Sequence, residues 1–433
     1  MTSSIRWLRW PALLLALVIP GMLLFMVVTA PVFYPDPGKA PSVADGDLAP
    51  QYLDPVTEAR KIVRAHLSAE NLPGISVAVG IGDQLVWSEG FGYADLRTHA
   101  RLTPRHKLRI GTASQLITSA AAGVLLDEGR WNFDDEIQTY VPEFPRKPWP
   151  VTVRQLLGNT AGIIPDGGDE SPLLRRHCKK PVEGLADFAK NDLMFEPGTQ
   201  YMQSDFAWVI VSASIEAATG KPFHTFVRER VLEPAGMRAT MPDPGPTGPD
   251  DDHPLENLLQ DLIFDPYAVR ETAPETKPQP APDRATSYFP RLAADPTYGL
   301  HGMGQMDLSC YSGAAVFLST PSDLVRFGMA MQNGRILRPK TVQLLQSSER
   351  LASGEETGHG LGWDLGEVSV GRQRLRTASG DGRIVGGMAS SLITLPDHGM
   401  TVAVIANISY AETAPLARKI VEAFAKPVSR GAE

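Results

Sequence analysis

Cysteine is nearly absent: Cys178 and Cys310 are the only two in 433 residues. Two cysteines build no disulfide scaffold, and these two fit no metal-binding spacing. A single bridge in an oxidising compartment and two free thiols both stay open. Histidine is sparse as well, and neither His301 nor His359 has a His-x-x-His partner, so both read as surface or core residues. The acidic run Asp250-Asp251-Asp252 lacks a calcium-loop pattern and reads as a solvated tip. No metal and no cofactor is expected. Clustered Lys and Arg are missing too, and the net charge is −8. A nucleic-acid partner needs such clusters to neutralise phosphates, so that class is excluded. Hydrophobic residues at 43% and charged residues at 21% exclude a disordered chain.

What is present begins with a long apolar run. Arg6 and Arg9 precede an uncharged stretch from Trp10 to Phe33. That stretch is too long for a signal-peptide core and long enough to span a bilayer. Pro11 and Pro20 are tolerable in a membrane helix. The two arginines favour a cytoplasmic N-terminus and an extracytoplasmic main domain, periplasmic in a bacterium. The rival is a cleaved signal peptide ending at Val28-Thr29-Ala30, but Pro31 makes that site poor. The uncleaved anchor over 1–33 is the preferred reading. No cysteine near the end of the span permits a lipoprotein anchor.

Residues 34–55 are rich in Pro, Asp and Gly and read as a linker. A domain over 56–426 follows, with a short tail over 427–433. Val56–Leu67 has helical periodicity at Ala59, Ile62, Val63 and Leu67. Gly74–Gly82 and Gln84–Gly92 read as two strands around a tight Gly82-Asp83 turn. Arg109–Thr118 (RIGTASQLIT) looks like a strand end turning into a buried helix that stops near Gly129. Trp131–Pro145 reads as a loop, and Val151–Ile163 as a short helix ending in a Gly turn. Helical runs are expected over Phe206–Ala218 and Pro222–Leu232. Residues 241–283 read as a Pro- and Asp-rich loop insertion with a short helix at Leu255–Ile263. A helix within Ser312–Met331 is expected to be capped by Ser322, with Asp323 in its first turn. Strands near Met388–Leu395 and Thr401–Ile408 and a helix near Ala411–Ala425 close the chain. There is no internal repeat.

The order of these segments carries a resemblance. PGISVAVGIGDQLVWSEGFGYAD, RIGTASQLIT, VTVRQLLGNTAGI, PGTQYMQSDFAWVIVSASIEAATG, FLSTPSDLVRFG and HGLGW follow one another as in the serine β-lactamase and penicillin-binding protein family. The class C β-lactamase and D-alanyl-D-alanine carboxypeptidase branch is the most similar, over roughly Ala59 to Phe424. The resemblance implies an α/β (α+β) fold: an antiparallel sheet built from both chain ends, flanked by helices, with a mostly helical middle. The N-terminal transmembrane helix is added to it.

In that family a serine of S-x-x-K is deprotonated by the motif's lysine together with a tyrosine or serine of Y-x-N or S-x-N. A K-T-G or H-x-G motif on a strand helps bind the substrate carboxylate. Backbone N–H groups hold the oxyanion. Here the first position reads Thr112 and the lysine position Gln115. The second motif reads Gln203-Ser204-Asp205, and the third Ala378-Ser379-Gly380. Each station has lost its ionisable or nucleophilic side chain. A capping box, with Thr112 as N-cap and Gln115 reaching back, explains the first pair without chemistry. Ser114 would have Ile117 in the lysine's place and is set aside as nucleophile. Tyr201 reads as a packing aromatic, although it could be a displaced base, and Asp205 reads as a helix N-cap. Arg383 reads as a solvated loop arginine, although it could replace the lost cation. The backbone donors that the resemblance puts at Thr112 and Asp381 do not depend on side chains. Ser114, Tyr201, Ser379, Asp381 and Arg383 are the residues left for cleft binding.

The expected protein is a membrane-anchored, catalytically inactive relative that binds a peptide, glycan, small molecule or partner protein in the old cleft. Its rivals are an active esterase, peptidase or amidase with Thr112 as variant nucleophile, and an assembly role through other surfaces. Nothing in the sequence fixes an oligomeric state.

Overall fold

The computed structural model describes residues 18–23, 25–26, 39–167, 171–245, 283–292, 295–303, 306–384 and 388–425. Its strands are β1 (Ser42–Ala44), β2 (Gly74–Ile81), β3 (Gln84–Asp95), β4 (Ala100–Arg101), β5 (Leu108–Arg109), β6 (Met241–Pro242), β7 (Tyr288–Leu292), β8 (Asp295–Gly302), β9 (Phe317–Ser319), β10 (Asp364–Val370), β11 (Gln373–Ile384), β12 (Met388–Leu395) and β13 (Met400–Ala406). The helices used below are α1 (Leu53–Ala69), α2 (Ser114–Asp127), α3 (Val153–Leu157), α4 (Asp205–Thr219), α5 (Pro321–Gln332) and α6 (Thr413–Ala425).

The main sheet runs β1-β3-β2-β13-β12-β11-β10, and every pair in it is antiparallel. Its centre joins the two chain ends, with Val77 opposite Val404 and Val79 opposite Val402. Strand side chains alternate between faces. Val77, Val79, Val402 and Val404 therefore share one face with α1 and α6. Ala78, Ala403 and Ile405 face the helical middle. Both faces are covered, which explains why β12 and β13 are buried at every position. The fold is thus a mixed α/β arrangement of one antiparallel sheet between helices.

α1 forms because Val56, Ala59, Val63 and Leu67 recur every three or four residues and bury one stripe. It starts earlier than the periodicity suggests. The stretch read as linker also supplies β1, paired with β3, and a 3-10 turn at Pro50–Tyr52. α2 is different: every residue from Ser114 to Leu125 is buried. Small residues allow its close packing. A Cβ on Gly123 would lie 2.8 Å from Leu337 Cδ1.

Two caps differ from the sequence reading. α5 is capped by Thr320, whose hydroxyl accepts from the Asp323 N–H, because Thr320 has the extended backbone an N-cap needs. Ser322 lies inside the helix, and its hydroxyl meets that of Ser88 at 2.8 Å. The capping box sits elsewhere, at the start of α3, where Thr152 and Gln155 satisfy each other's backbone N–H groups.

Cys178 and Cys310 form a disulfide across 132 residues, with Cα atoms 4.9 Å apart. Of the apolar N-terminal run, 18–23 and 25–26 are helical, and Val18, Ile19, Met22, Leu23 and Met26 are exposed. Among the described residues no helix is long and apolar enough to cross a membrane. The cleavage motif at 28–30, the acidic run at 250–252, the helix expected at 255–263 and the tail over 427–433 lie outside the described residues.

Candidate functional site

The first station is a one-turn 3-10 segment, Gly111–Ala113, laid against the edge of β11. β10 covers β11 only as far as Ser379, whereas β12 pairs with it through Ile384. From Gly380 onward one edge of β11 lacks a strand neighbour, and bare strand edges need hydrogen-bond partners. Thr112 supplies one: its hydroxyl donates to the Asp381 carbonyl at 3.0 Å and accepts from the Arg383 N–H at 3.4 Å. The approach is so close that a Cβ on Gly382 would lie 1.8 Å from the Ile110 carbonyl oxygen. Gly111 has φ +54°, and a Cβ there would lie 2.7 Å from the Arg383 carbonyl.

This geometry overturns the capping box at Thr112. An N-cap residue has extended backbone and aims its oxygen at the helix N–H groups. Thr112 instead lies within a continuous helical turn that runs straight into α2. The position before α2 is Ala113 (φ −60°, ψ −13°), with no side-chain cap. Gln115 does not reach back either. It is 6% exposed, and its Nε2 donates to Asp205 Oδ1 at 2.7 Å. The first and second stations are thus joined by a side-chain hydrogen bond. Ser114 is fully buried, and its hydroxyl accepts from the Phe317 N–H at 3.3 Å, so attacking a substrate is closed to it.

Asp205 is the first residue of α4 and not its cap. Ser204 holds the N-cap position but sends its hydroxyl to the Ile164 carbonyl at 2.6 Å. Protein packed around the Asp205 carboxyl raises its pKa to about 7, helped by the negative charge of Asp166 and opposed by the Gln115 bond. The residue as a whole is half-buried, so the crowding is local to the carboxyl. The positive end of the α4 dipole acts against the shift. Asp166 in turn accepts from the Tyr311 hydroxyl at 3.0 Å. Burial, then the charge of Asp166, hold that hydroxyl well above the usual tyrosine range. Gln203, in the tyrosine position, is exposed.

Tyr201 packs, as expected, but against a partner the sequence does not reveal. Its ring stacks on His359 with centroids 4.1 Å apart and planes 9° apart. His359 is not an isolated histidine: its Nδ1 lies 2.6 Å from Asp364 Oδ1. Burial, with Asp364 nearby, pushes the Tyr201 hydroxyl up to about 12, far from the range of a base at neutral pH.

The third station lies on β11. Ala378 is buried, and its carbonyl accepts from Thr394 Oγ1 at 2.8 Å. Ser379 stands opposite Asp364, and its hydroxyl donates to the Asp364 carbonyl at 3.4 Å. Gly380 has a packing reason: a Cβ there would lie 2.6 Å from Leu116 Cδ1. The Asp381 carboxylate accepts from Ser391 Oγ at 2.6 Å, and the protein around it raises its pKa. Arg383 is exposed as expected, but its guanidinium is paired with Glu412 at 2.7 Å. That pairing removes it as a ready anchor for a substrate carboxylate. A shallow recess beside Phe144, Lys147, Phe188 and Leu193 is lined by none of the station residues.

A sequence model described as Beta-lactamase matches residues 59–252 and 245–425. The chain belongs to the Beta-lactamase family. Penicillin-binding protein 4* of Bacillus subtilis (strain 168) is 24% identical over 336 residues, covering 77% of this chain and 67% of that protein. The human serine beta-lactamase-like protein LACTB, mitochondrial, is 22% identical, covering 82% of this chain and 77% of its own. Among solved structures, the D-amino acid amidase of Ochrobactrum anthropi SV3 with L-phenylalanine amide superposes with a TM-score of 0.65 at 23% identity, over 87% of this chain and 99% of that one. The octameric penicillin-binding protein homologue of Pyrococcus abyssi gives 0.65 at 19%, over 86% and 77%.

Within this fold, residues of the three stations touch one another. Thr112 touches Asp381 and Arg383 beside the third station, and Gln115 touches Asp205 of the second. The Tyr201–His359–Asp364 group and the Asp166–Tyr311 pair escape sequence reasoning. Tyr201 lies 158 residues before His359, and Asp166 lies 145 before Tyr311.

Proposed function

We propose that this chain is a membrane-anchored, extracytoplasmic member of the Beta-lactamase family that has lost hydrolytic catalysis and binds a ligand or partner in the former catalytic cleft. The observation that carries this reading is the fate of the Thr112 hydroxyl. A hydroxyl attacks a carbonyl only when a base takes its proton. The Thr112 proton is directed at a backbone carbonyl, and its lone pair meets a backbone N–H. Neither backbone group accepts a proton at neutral pH. The side chain in the lysine position is an amide already bonded to Asp205. Loss of a nucleophile or its base in a serine hydrolase costs roughly 10⁶-fold in turnover. The disulfide and the apolar run behind Arg6 and Arg9 support the extracytoplasmic placement.

Intact-mass analysis of the full-length protein after exposure to a fluorophosphonate and a fluorescent penicillin tests the reading. The expected result is no adduct on the wild type and none on Thr112→Ala. A stoichiometric adduct that disappears in Thr112→Ala would overturn it. One observation favours a second reading, a hydrolase with Thr112 as variant nucleophile: a carboxyl near pKa 7, as at Asp205, is in the range of a general base. The same labelling separates the two.

A further inference from the structure

We infer that the Gln115–Asp205 pair receives the primary ammonium group of a ligand, at the place where the family carries its own lysine. The inference rests on reading the cleft as a binding site and names the chemistry it would bind. In the family pattern the two positions hold a lysine and an asparagine, a cation beside a neutral amide. Here they hold an amide beside a carboxyl. The contact between them is kept at 2.7 Å, while the charge of the ionised pair is inverted.

The hydrogen-bond inventory points the same way. Gln115 spends its amide N–H on Asp205 Oδ1. Among the described residues no other group donates to Gln115 Oε1 or to Asp205 Oδ2. Gln115 is more than nine-tenths buried, yet neither Gln115 Oε1 nor Asp205 Oδ2 is among the buried atoms that lack a partner, so both reach solvent. The two bonded side chains, from different helices, thus each keep one acceptor oxygen without a donor among the described residues. An ammonium group is a donor only, with three N–H bonds, and fits two acceptors that a neutral or anionic group would leave unpaired. The groups acting on the Asp205 carboxyl are Gln115 from α2 and Asp166 from the preceding loop, with Tyr311 held through Asp166. None is a cation. Arg383 is held by Glu412 and Arg154 by Asp134 and Glu349. The described groups around the vacated lysine position therefore favour positive charge.

The test is thermal melting of the full-length protein in ethylammonium chloride, against sodium chloride at equal ionic strength and propan-1-ol as the neutral match. At pH 8 ethylammonium raises the melting temperature by roughly 2 °C at ten times its dissociation constant, and the controls do not. At pH 5.5 the rise shrinks, because Asp205 takes up its proton. Asp205→Asn loses the response. Gln115→Lys melts higher than the wild type at pH 8 without amine and no longer responds to it, because the restored lysine fills the site. Alanine amide and glucosamine stand for a peptide amine and a sugar amine; tighter binding of either supports the inference and names the source. A response that persists unchanged in both variants, or a wild type that responds to ethylammonium no more than to sodium, overturns it. A covalent adduct in the labelling experiment would overturn the inactive-enzyme reading alone, since amine binding is measured without turnover.

Discussion

His224 is held between Phe223 and Phe317, and its Nδ1 is buried without a partner among the described residues. Burial lowers its pKa to about 4, from an ordinary value of 6.5. The unfolded chain therefore binds a proton at a higher pH than the folded one. Stability is unaffected by His224 above pH 6.5 and falls as pH drops from there toward 4. At pH 5 the loss is about 1–2 kcal/mol. Urea titrations at pH 7 and pH 5 check it: His224→Phe should flatten the pH dependence of the midpoint. Asp205 has the opposite sign. Its folded pKa is raised to about 7, so the folded state holds the proton over a range where the unfolded chain has released it. That advantage is full below pH 3.8 and is lost as pH rises through 7. Asp205→Asn keeps an acceptor for Gln115 and removes the buried charge. It should raise the urea midpoint at pH 8 by at least about 1 kcal/mol in stability and leave pH 4 nearly unchanged.

At the scale of elements, the junction between Gly111–Ala113 and β11 holds the candidate site together. A Cβ on Gly382 would sit 1.8 Å from the Ile110 carbonyl oxygen, 2.5 Å from Ser390 Oγ and 2.8 Å from the Ala113 N. Two of those atoms are backbone and cannot rotate away. Gly382→Ala should therefore part the turn from the strand, break the Thr112–Asp381 bond and cost about 3 kcal/mol or more. Gly366→Ala on β10 is the control, because its nearest neighbour is Thr377 Oγ1 at 3.5 Å. Chemical denaturation of both variants gives the comparison, and equal costs would remove the junction from its central place. The same junction marks what the sequence can and cannot tell. β2, β3, β12 and β13 are legible because each is a short apolar run, the first two joined by a Gly turn. β10 and β11 are not legible: Glu367, Arg374, Arg376 and Arg383 interrupt any apolar pattern on an exposed sheet edge. The β7–β8 hairpin is missed likewise. Motif order singles out Thr112, Gln115, Asp205 and Gly380, and the structure bonds Gln115 to Asp205, Thr112 to Asp381 and packs Gly380 on Leu116. The bonds they make are not in the motifs. Whether Gln115 turns back to its own helix or across to Asp205 depends on a 3-10 turn and on a helix 90 residues away.

For the whole molecule, the disulfide ties the segment before α4 to the 3-10 turn Ser309–Tyr311. Cys310 lies in the 3-10 turn Ser309–Tyr311, next to the tyrosine that donates to Asp166. Cys178 lies in the segment that leads from that region toward α4. Closing a loop of 132 residues restricts the unfolded chain strongly, and losing the bond should cost about 2–5 kcal/mol. Melting with and without a reductant measures this. Cys178→Ser with Cys310→Ser should match the reduced wild type, since it removes the same constraint. The bond also reports on topology. A domain delivered across a membrane by the apolar run behind Arg6 and Arg9 folds where thiols oxidise, whereas one kept in the cytosol meets a reducing pool. Protein taken from the membrane fraction under thiol-blocking conditions should carry no alkylated cysteine. The chain lacking residues 1–33, kept inside the cell, should carry two and melt lower by the same increment as the reduced protein. Two alkylated cysteines in the membrane-derived full-length chain would place the domain on the reducing side and remove the extracytoplasmic assignment.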